Sequence, residues 1–261
     1  MLCSRRMFNT SLVNLLYPPV CFLCRRRTPE HAPLCEACES ALEPCRPPVC
    51  ERCGIVLQGA YDARMSCRRC DRAGTDLAGE EVSRRAGVAT AGRALAFRQA
   101  RAPFVYSDTV REAVHAFKYA HHPRLGRWLA ERMAQTVMDE FPVADIRRVL
   151  PVPSHWLKGR LTGFNHTVVL AESVAGFLRL PCDRRAVSRI KWTATQTRLT
   201  IRQRAQNVRE AFQATPPASG LAEAVLLVDD VLTTGATADA CARALREAGF
   251  GDVFVITAAS A

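Results

Sequence analysis

Val225-Leu226-Leu227-Val228-Asp229-Asp230-Val231-Leu232-Thr233-Thr234-Gly235-Ala236-Thr237 decides how this chain folds. Its four leading branched residues read as a buried strand of a parallel sheet. Two carboxylates follow where such a strand emerges from the sheet. The loop Thr233-Thr234-Gly235-Ala236-Thr237 comes next, and a helical pattern runs on through Ala238 to Ala248. Strand, small-residue loop and helix N-terminus together make an anion site, because unpaired backbone N–H groups and the helix dipole point at one place. Gly235 lets the backbone approach a ligand closely, and the threonine hydroxyls add hydrogen bonds to phosphate oxygens. A pair of carboxylates beside a phosphate loop suits the vicinal diol of a sugar phosphate.

That order of residue types resembles the 5-phosphoribosyl-1-pyrophosphate (PRPP) signature of type I phosphoribosyltransferases, in which four apolar residues, two acids and two apolar residues precede Thr-Thr-Gly-x-Thr. The resemblance implies that Asp229 and Asp230 hold the ribose 2- and 3-hydroxyls. It also implies that Thr233, Thr234, Gly235, Ala236 and Thr237 hold the 5-phosphate. The stretch is neither a Walker loop, which needs Gly-Lys followed by Ser or Thr, nor a G-x-G-x-x-G dinucleotide fingerprint.

Working outward, the chain has 261 residues, room for one substantial domain and a smaller one. Lys and Arg number 36 against 25 Asp and Glu, a formal net charge of +11 that favours polyanions: phosphorylated metabolites, nucleic acid or an anionic surface. Residues 1–20 read as an amphipathic N-terminal helix ending before Pro18-Pro19. No apolar run approaches the roughly 18 residues that span a bilayer.

Residues 21–70 carry four Cys-x-x-Cys pairs: Cys21/Cys24, Cys35/Cys38, Cys50/Cys53 and Cys67/Cys70. Two sulfurs at that spacing bind one tetrahedral zinc, and each pair needs a second pair, so the span reads as a double zinc ribbon with one or two structural Zn2+. Sequential and interleaved pairing both fit the spacing. Little apolar sequence lies between the pairs, so metal supplies the folding free energy. Arg25-Arg26-Arg27 and Arg68-Arg69 flank the knuckles and suit phosphate contacts. Cys3, Cys182 and Cys241 are isolated and read as small buried residues.

Residues 71–103, rich in Ala, Gly and Arg, read as a linker, and 104–261 as the larger domain. In it Phe104-Val105-Tyr106 is a short strand, and Ser107 caps a helix ending at Lys118-Tyr119. A second helix covers Gly126 to Asp139, with Leu129, Met133, Val137 and Met138 as its main apolar residues. Arg148 to Pro153 is a short strand closed by prolines. The following loop carries Lys158 and Arg160 into a helix over Thr167 to Leu178, a second anion site suited to pyrophosphate. His155 and His166 read as structural. Residues 179–209 hold nine Lys or Arg and one acid, the composition of a mobile basic lid or of a path for single-stranded nucleic acid with Trp192 as a stacking platform.

The double ribbon, Lys118-Tyr119, Pro151-Val152-Pro153, Gly163-Phe164-Asn165, Thr195-Gln196-Thr197-x-Leu199, Arg204-x-x-Asn207-Val208 and the PRPP motif together resemble the ComF family of competence-associated phosphoribosyltransferase-like proteins. The resemblance implies an α/β fold, a parallel sheet flanked by helices behind an N-terminal double zinc ribbon. It further implies a cytoplasmic bacterial protein tied to DNA uptake, with Mg2+ accompanying PRPP and Gln196 and Arg204 joining the substrate-binding set. Two functions follow from different classes. One is a PRPP-dependent transferase. The other is a non-catalytic module that binds single-stranded DNA or docks a DNA-uptake motor protein. Two departures stand out: 71–103 is longer than the family leads one to expect, and His166 follows Gly-Phe-Asn where the family often has Gln.

Overall fold

The computed structural model describes residues 18–29, 32–58, 65–68, 70–71, 95–120, 122–153, 165–190 and 211–261. The expected N-terminal helix, most of the linker, the loop bearing Lys158 and Arg160, and the segment bearing Trp192, Gln196 and Arg204 lie outside them.

Strand β6 (Ala224–Leu232) is the axis of the sheet. It pairs in parallel with β3 (Ile146–Pro151) on one side and β7 (Val253–Ser260) on the other. Two short strands, β1 (Gln99–Arg101) and β2 (Phe104–Val105), complete the far edge by pairing in parallel with β7. The order across the sheet is therefore β1/β2, β7, β6, β3. A central strand covered on both faces must be apolar throughout, and Val225 to Val228 are fully buried.

Because side chains alternate along a strand, Leu226 and Val228 face one layer while Val225 and Leu227 face the other. The first layer is built by helices α2 (Asp108–Ala120), α3 (Pro123–Glu140) and α4 (His166–Leu178), which contribute Val110, Phe117, Leu129, Met133, Leu170 and Val174. The second is α5 (Ala236–Glu247), with Cys241 and Leu245 against Val225 and Leu227. Beside α5 lies a two-stranded antiparallel ribbon, β4 (Val187–Arg189) with β5 (Phe212–Ala214). The front of the basic stretch expected to be a lid is thus packed structure, since Ala186 and Val187 are buried there.

Ser107 caps α2 as its position suggests, accepting from the Val110 N–H at 3.4 Å. In α3 the buried apolar face runs through Leu125, Trp128, Leu129, Met133 and Val137, whereas Met138 is 50% exposed. The face is wide enough for Trp128, Leu129 and Ala130 in mid-helix but narrows to Val137 in the last turn, and Met138, about 100° further round, is left outside it. The span expected to be a linker ends in structure as well, because Gln99–Arg101 is the sheet edge.

Gly126 lets α3 cross α2 closely. A Cβ there would sit 2.4 Å from the ring of Phe117, which is fully buried. Gly126→Ala is expected to destabilise the chain by about 1–3 kcal/mol through overpacking, despite alanine's better helix propensity. Urea denaturation checks it, and an unchanged or raised midpoint would contradict the packing argument.

Candidate metal centres and sugar-phosphate site

The N-terminal segment is built from two copies of one knuckle. Pro19-Val20-Cys21-x-x-Cys24-Arg25 and Pro48-Val49-Cys50-x-x-Cys53-Gly54 fold alike. Cys21 N–H donates to Arg26 O at 2.7 Å, and Cys50 N–H to Ile55 O at 2.8 Å. The residue after the second cysteine is left-handed in both, with φ 63° at Arg25 and 72° at Gly54. Glycine is essential only in the second copy, where a Cβ would lie 2.5 Å from Ala100 O. This duplication was readable as Pro-Val-Cys-x-x-Cys, a signal that cysteine spacing alone does not use.

The pairing is sequential. The sulfurs of Cys21, Cys24, Cys35 and Cys38 lie within 4.8 Å of one another, and so do those of Cys50, Cys53, Cys67 and Cys70. Cys35 is the N-cap of a short helix, α1 (Glu36–Ser40), which turns Cys38 back toward it. Cys24 and Cys35 sulfurs are 3.5 Å apart, Cys53 and Cys67 3.6 Å. A tetrahedron with ~2.3 Å metal–sulfur bonds has edges of ~3.8 Å, so both clusters fit Zn2+. All four positions of each site are thiolates, which makes them closed structural centres. Cys45 stands outside both sets. Of the isolated cysteines expected to be buried, Cys241 is fully buried in α5, whereas Cys182 is only partly buried.

Both ribbon halves are docked on the sheet. Cys21, Leu34 and Leu42 share the core with Phe104, Val110 and Trp128. In the second half, Ala100 N–H donates to Arg52 O at 2.7 Å, and the Arg52 guanidinium donates to Leu95 O.

The two acids sit inside β6 near its carboxyl end rather than beyond the strand, with Asp229 opposite Thr257 and Val231 opposite Ala259. Carboxyl ends of parallel strands are where open α/β sheets bind ligands. Both acids are half-buried. Asp230 Oδ2 accepts from Lys118 Nζ at 2.6 Å and from His166 Nε2 at 2.9 Å. Asp229 Oδ1 accepts the Asp230 N–H at 2.9 Å. Burial, then the charge of Asp230, push Asp229 up to about 7. Burial acts on Asp230 in the same sense, but His166 and Lys118 outweigh it and hold this carboxyl below its ordinary value.

Lys118 lies in the last turn of α2, and His166 opens α4, whose cap is Asn165, accepting the Val168 N–H at 3.4 Å. Neither is legible as a site residue from its neighbours in sequence: His166, expected to be structural, and Lys118 both meet Asp230. Only the packing of α2 and α4 on β6 brings them to Asp230.

The loop follows directly. Thr233, Thr234 and Thr237 are exposed, and Gly235 turns at φ 67° as N-cap of α5. Thr234 Oγ1 accepts the Ala236 N–H at 3.4 Å. Asp239, in the first turn, accepts the Ala96 N–H at 2.6 Å and the Arg243 guanidinium at 3.0 Å, which ties the helix start to the strand edge. A cavity of about 200 Å³ lies between this loop and the second cysteine cluster, lined by Cys53, Ile55, Arg68, Phe97, Thr234 and Gly235 among others. The structure thus brings Asp229, Asp230 and residues 233–237 together, while Lys158, Arg160, Gln196 and Arg204 lie outside the described residues.

The raised acid has a consequence for stability. An acid held above its unfolded value binds its proton more tightly when folded, so its contribution to stability falls as pH rises from about 4 to about 7. Asp229→Asn removes that loss. It is expected to stabilise the chain by about 2–3 kcal/mol more at pH 8 than at pH 5. Thermal melts at the two pH values test this, and an equal shift at both would contradict it.

Residues 12–82 match the double zinc ribbon domain family. DNA utilization protein YhgH of Salmonella typhi is 27% identical over 251 residues, 92% of this chain and 96% of that protein. YhgH of Escherichia coli K12 is 26% identical over 249 residues, with the same coverage. Competence protein F of Haemophilus influenzae is 28% identical over 154 residues, 58% of this chain and 67% of its own length. Among solved structures, UMP synthase of Leishmania donovani aligns at 16% identity and a TM-score of 0.32, over 55% of this chain and 24% of that one. Among the described residues no helix is long and apolar enough to cross a membrane. With two cysteine tetrads in a double zinc ribbon, a parallel-sheet body and similarity to proteins named for DNA utilization and competence, this chain resembles the ComF family.

Proposed function

We propose that the carboxyl end of β6 binds a phosphoribosyl group, PRPP with Mg2+ in the first instance, and that the protein serves DNA uptake or use. The observation that carries this is the continuity of an acid pair, Asp229 and Asp230, with a threonine loop opening α5. Backbone N–H groups of the loop and the helix start meet the 5-phosphate, and Thr233, Thr234 and Thr237 add hydroxyl donors. The acids accept the 2- and 3-hydroxyls of the ribose. Mg2+, if bound with the ligand, would supply neutralising charge to its phosphates. Among the chain's own groups, Asp230 stays ionised, while Asp229 exchanges its proton near neutrality. DNA enters this reading from the names of the relatives, YhgH and competence protein F.

Isothermal titration with Mg-PRPP is the test. Wild-type protein is expected to give a saturable heat, and Asp229→Ala with Asp230→Ala to lose it, a fall of about a hundredfold or more in affinity. Equal heats from the two proteins would remove the reading.

The net charge of +11 favours a second reading, a non-catalytic module for single-stranded DNA. Arg25, Arg26, Arg27 and Arg68 are exposed on the ribbon. Binding through phosphates weakens with salt at a slope of roughly −0.7 per contact, so a flat salt response in a strand-binding assay would argue against it.

A further inference from the structure

Fixing a ribose at three points decides where its fourth substituent goes. With the 2- and 3-hydroxyls on the carboxylates and the 5-phosphate on residues 233–237, the group on carbon 1 leaves the ring beside the 2-hydroxyl. It therefore lies on the carboxylate side, away from the 5-phosphate. Lys118 and His166 are the donors that meet Asp230 there, at 2.6 and 2.9 Å. They converge on a single oxygen of Asp230, and both are themselves half-buried, at 23% and 24% side-chain exposure. Each stands at a helix end that is packed on the sheet, so their positions are set by the fold.

A diol that takes this oxygen must displace at least one of them. A displaced, partly buried ammonium is costly unless another anion meets it. Ribose 5-phosphate has only a hydroxyl at carbon 1 and offers no such anion. A ribose with a phosphate or pyrophosphate at carbon 1 does. Resting on the phosphoribosyl reading above, we propose that Lys118 and His166 recognise the anionic group on carbon 1, passing from Asp230 to that group as the ligand binds. Asp230 thereby holds the two donors in place in the empty site. The pair sets the specificity of the pocket for a doubly anionic pentose over a singly phosphorylated one.

Titration of the full-length, zinc-loaded chain with Mg2+ and either PRPP or ribose 5-phosphate tests this. Lys118→Met is expected to weaken PRPP by about tenfold or more, while ribose 5-phosphate, which no longer has an ammonium to displace, binds as well or better. Lys118→Arg should keep most of the PRPP affinity. His166→Asn should reproduce the Lys118→Met pattern at smaller amplitude. Combining Lys118→Met with Asp230→Asn separates recognition from simple neutralisation. If Lys118 only balances Asp230, the double variant binds PRPP as well as Asp230→Asn alone; if Lys118 meets the ligand, the double variant binds it less well. Equal loss of both ligands in Lys118→Met, or no loss of either, overturns the assignment while leaving the phosphoribosyl reading intact. Wild-type protein that binds neither ligand overturns both. Should Lys118→Met melt below the working temperature, Lys118→Gln carries the same comparison.

Discussion

Cys53→Ala is expected to take one of two zinc ions from the chain and to unfold the second ribbon, with effects that reach the loop 233–237 after β6. Among the described residues, the four sulfurs of that site share their apolar cluster with Leu57, Ile55 and Leu95, too few apolar contacts to hold a fold. The metal therefore carries it, at an apparent ~10–16 kcal/mol per site near pH 7. What depends on the knuckle is specific. Ala100 N–H donates to Arg52 O, the Arg52 guanidinium to Leu95 O, and Arg101 to Cys50 O and Glu51 O. Residue 96 in turn donates to Asp239 in the first turn of α5, directly after the loop. Loss of zinc should thus free the 95–101 edge and loosen the start of α5. The first ribbon, which shares its core with α2 and α3, should stand. Metal analysis should fall from two zinc ions to one. Amide exchange should lose about a hundredfold protection at 95–101, with a smaller loss at 236–239 and little change at 18–42. Two retained zinc ions, or unchanged exchange at 95–101, would show that the ribbon and the sheet edge fold independently.

What was legible in the chain follows the range of the interactions involved. The apolar run 225–228 forces a buried parallel strand, and Cys-x-x-Cys fixes a local turn, so β6 and the four cysteine knuckles could be read from neighbours in sequence, whereas which pairs share a metal is set by tertiary contact. The cap at Ser107 and the helix opening after Asn165 are equally local. Lys118 and His166 were not recognisable as site residues, because their meeting at Asp230 is made by the packing of two separate helices on β6. The strand Gln99–Arg101 was hidden for a related reason. Its residues have little intrinsic preference for a strand, and its pairing with β7 on one side and the ribbon's Arg52 on the other creates it. The exposed Met138 shows a finer limit: apolar character marks a helix face only to within the width that its neighbours leave open.

Arg101→Met should be among the most damaging single substitutions outside the metal sites. This arginine came from a stretch whose composition suggested solvent, yet its side chain is only 9% exposed. Its guanidinium donates to Glu140 at 2.8 Å, to Ala100 O at 2.8 Å, to Glu51 O at 2.9 Å and to Cys50 O at 3.4 Å. One planar group thereby joins the sheet edge, the second knuckle and the end of α3. Methionine keeps much of the aliphatic volume, so the loss isolates the hydrogen bonds. Removing the donor takes a partner from Glu51 O and Ala100 O, while Cys50 O keeps the Gly54 N–H at 2.9 Å, and about 2–4 kcal/mol of stability should go with it. Lysine should not rescue, since one ammonium cannot reproduce a fork that reaches three carbonyls and a carboxylate. Glu140→Gln should cost about 1 kcal/mol or less, because Glu140 is 39% exposed and water replaces its share of the pair. The ordering Arg101→Met ≈ Arg101→Lys ≫ Glu140→Gln in urea denaturation is the signature of a buried fork to backbone. If Glu140→Gln costs as much as Arg101→Met, the ion pair and not the knuckle carbonyls holds the ribbon to the sheet.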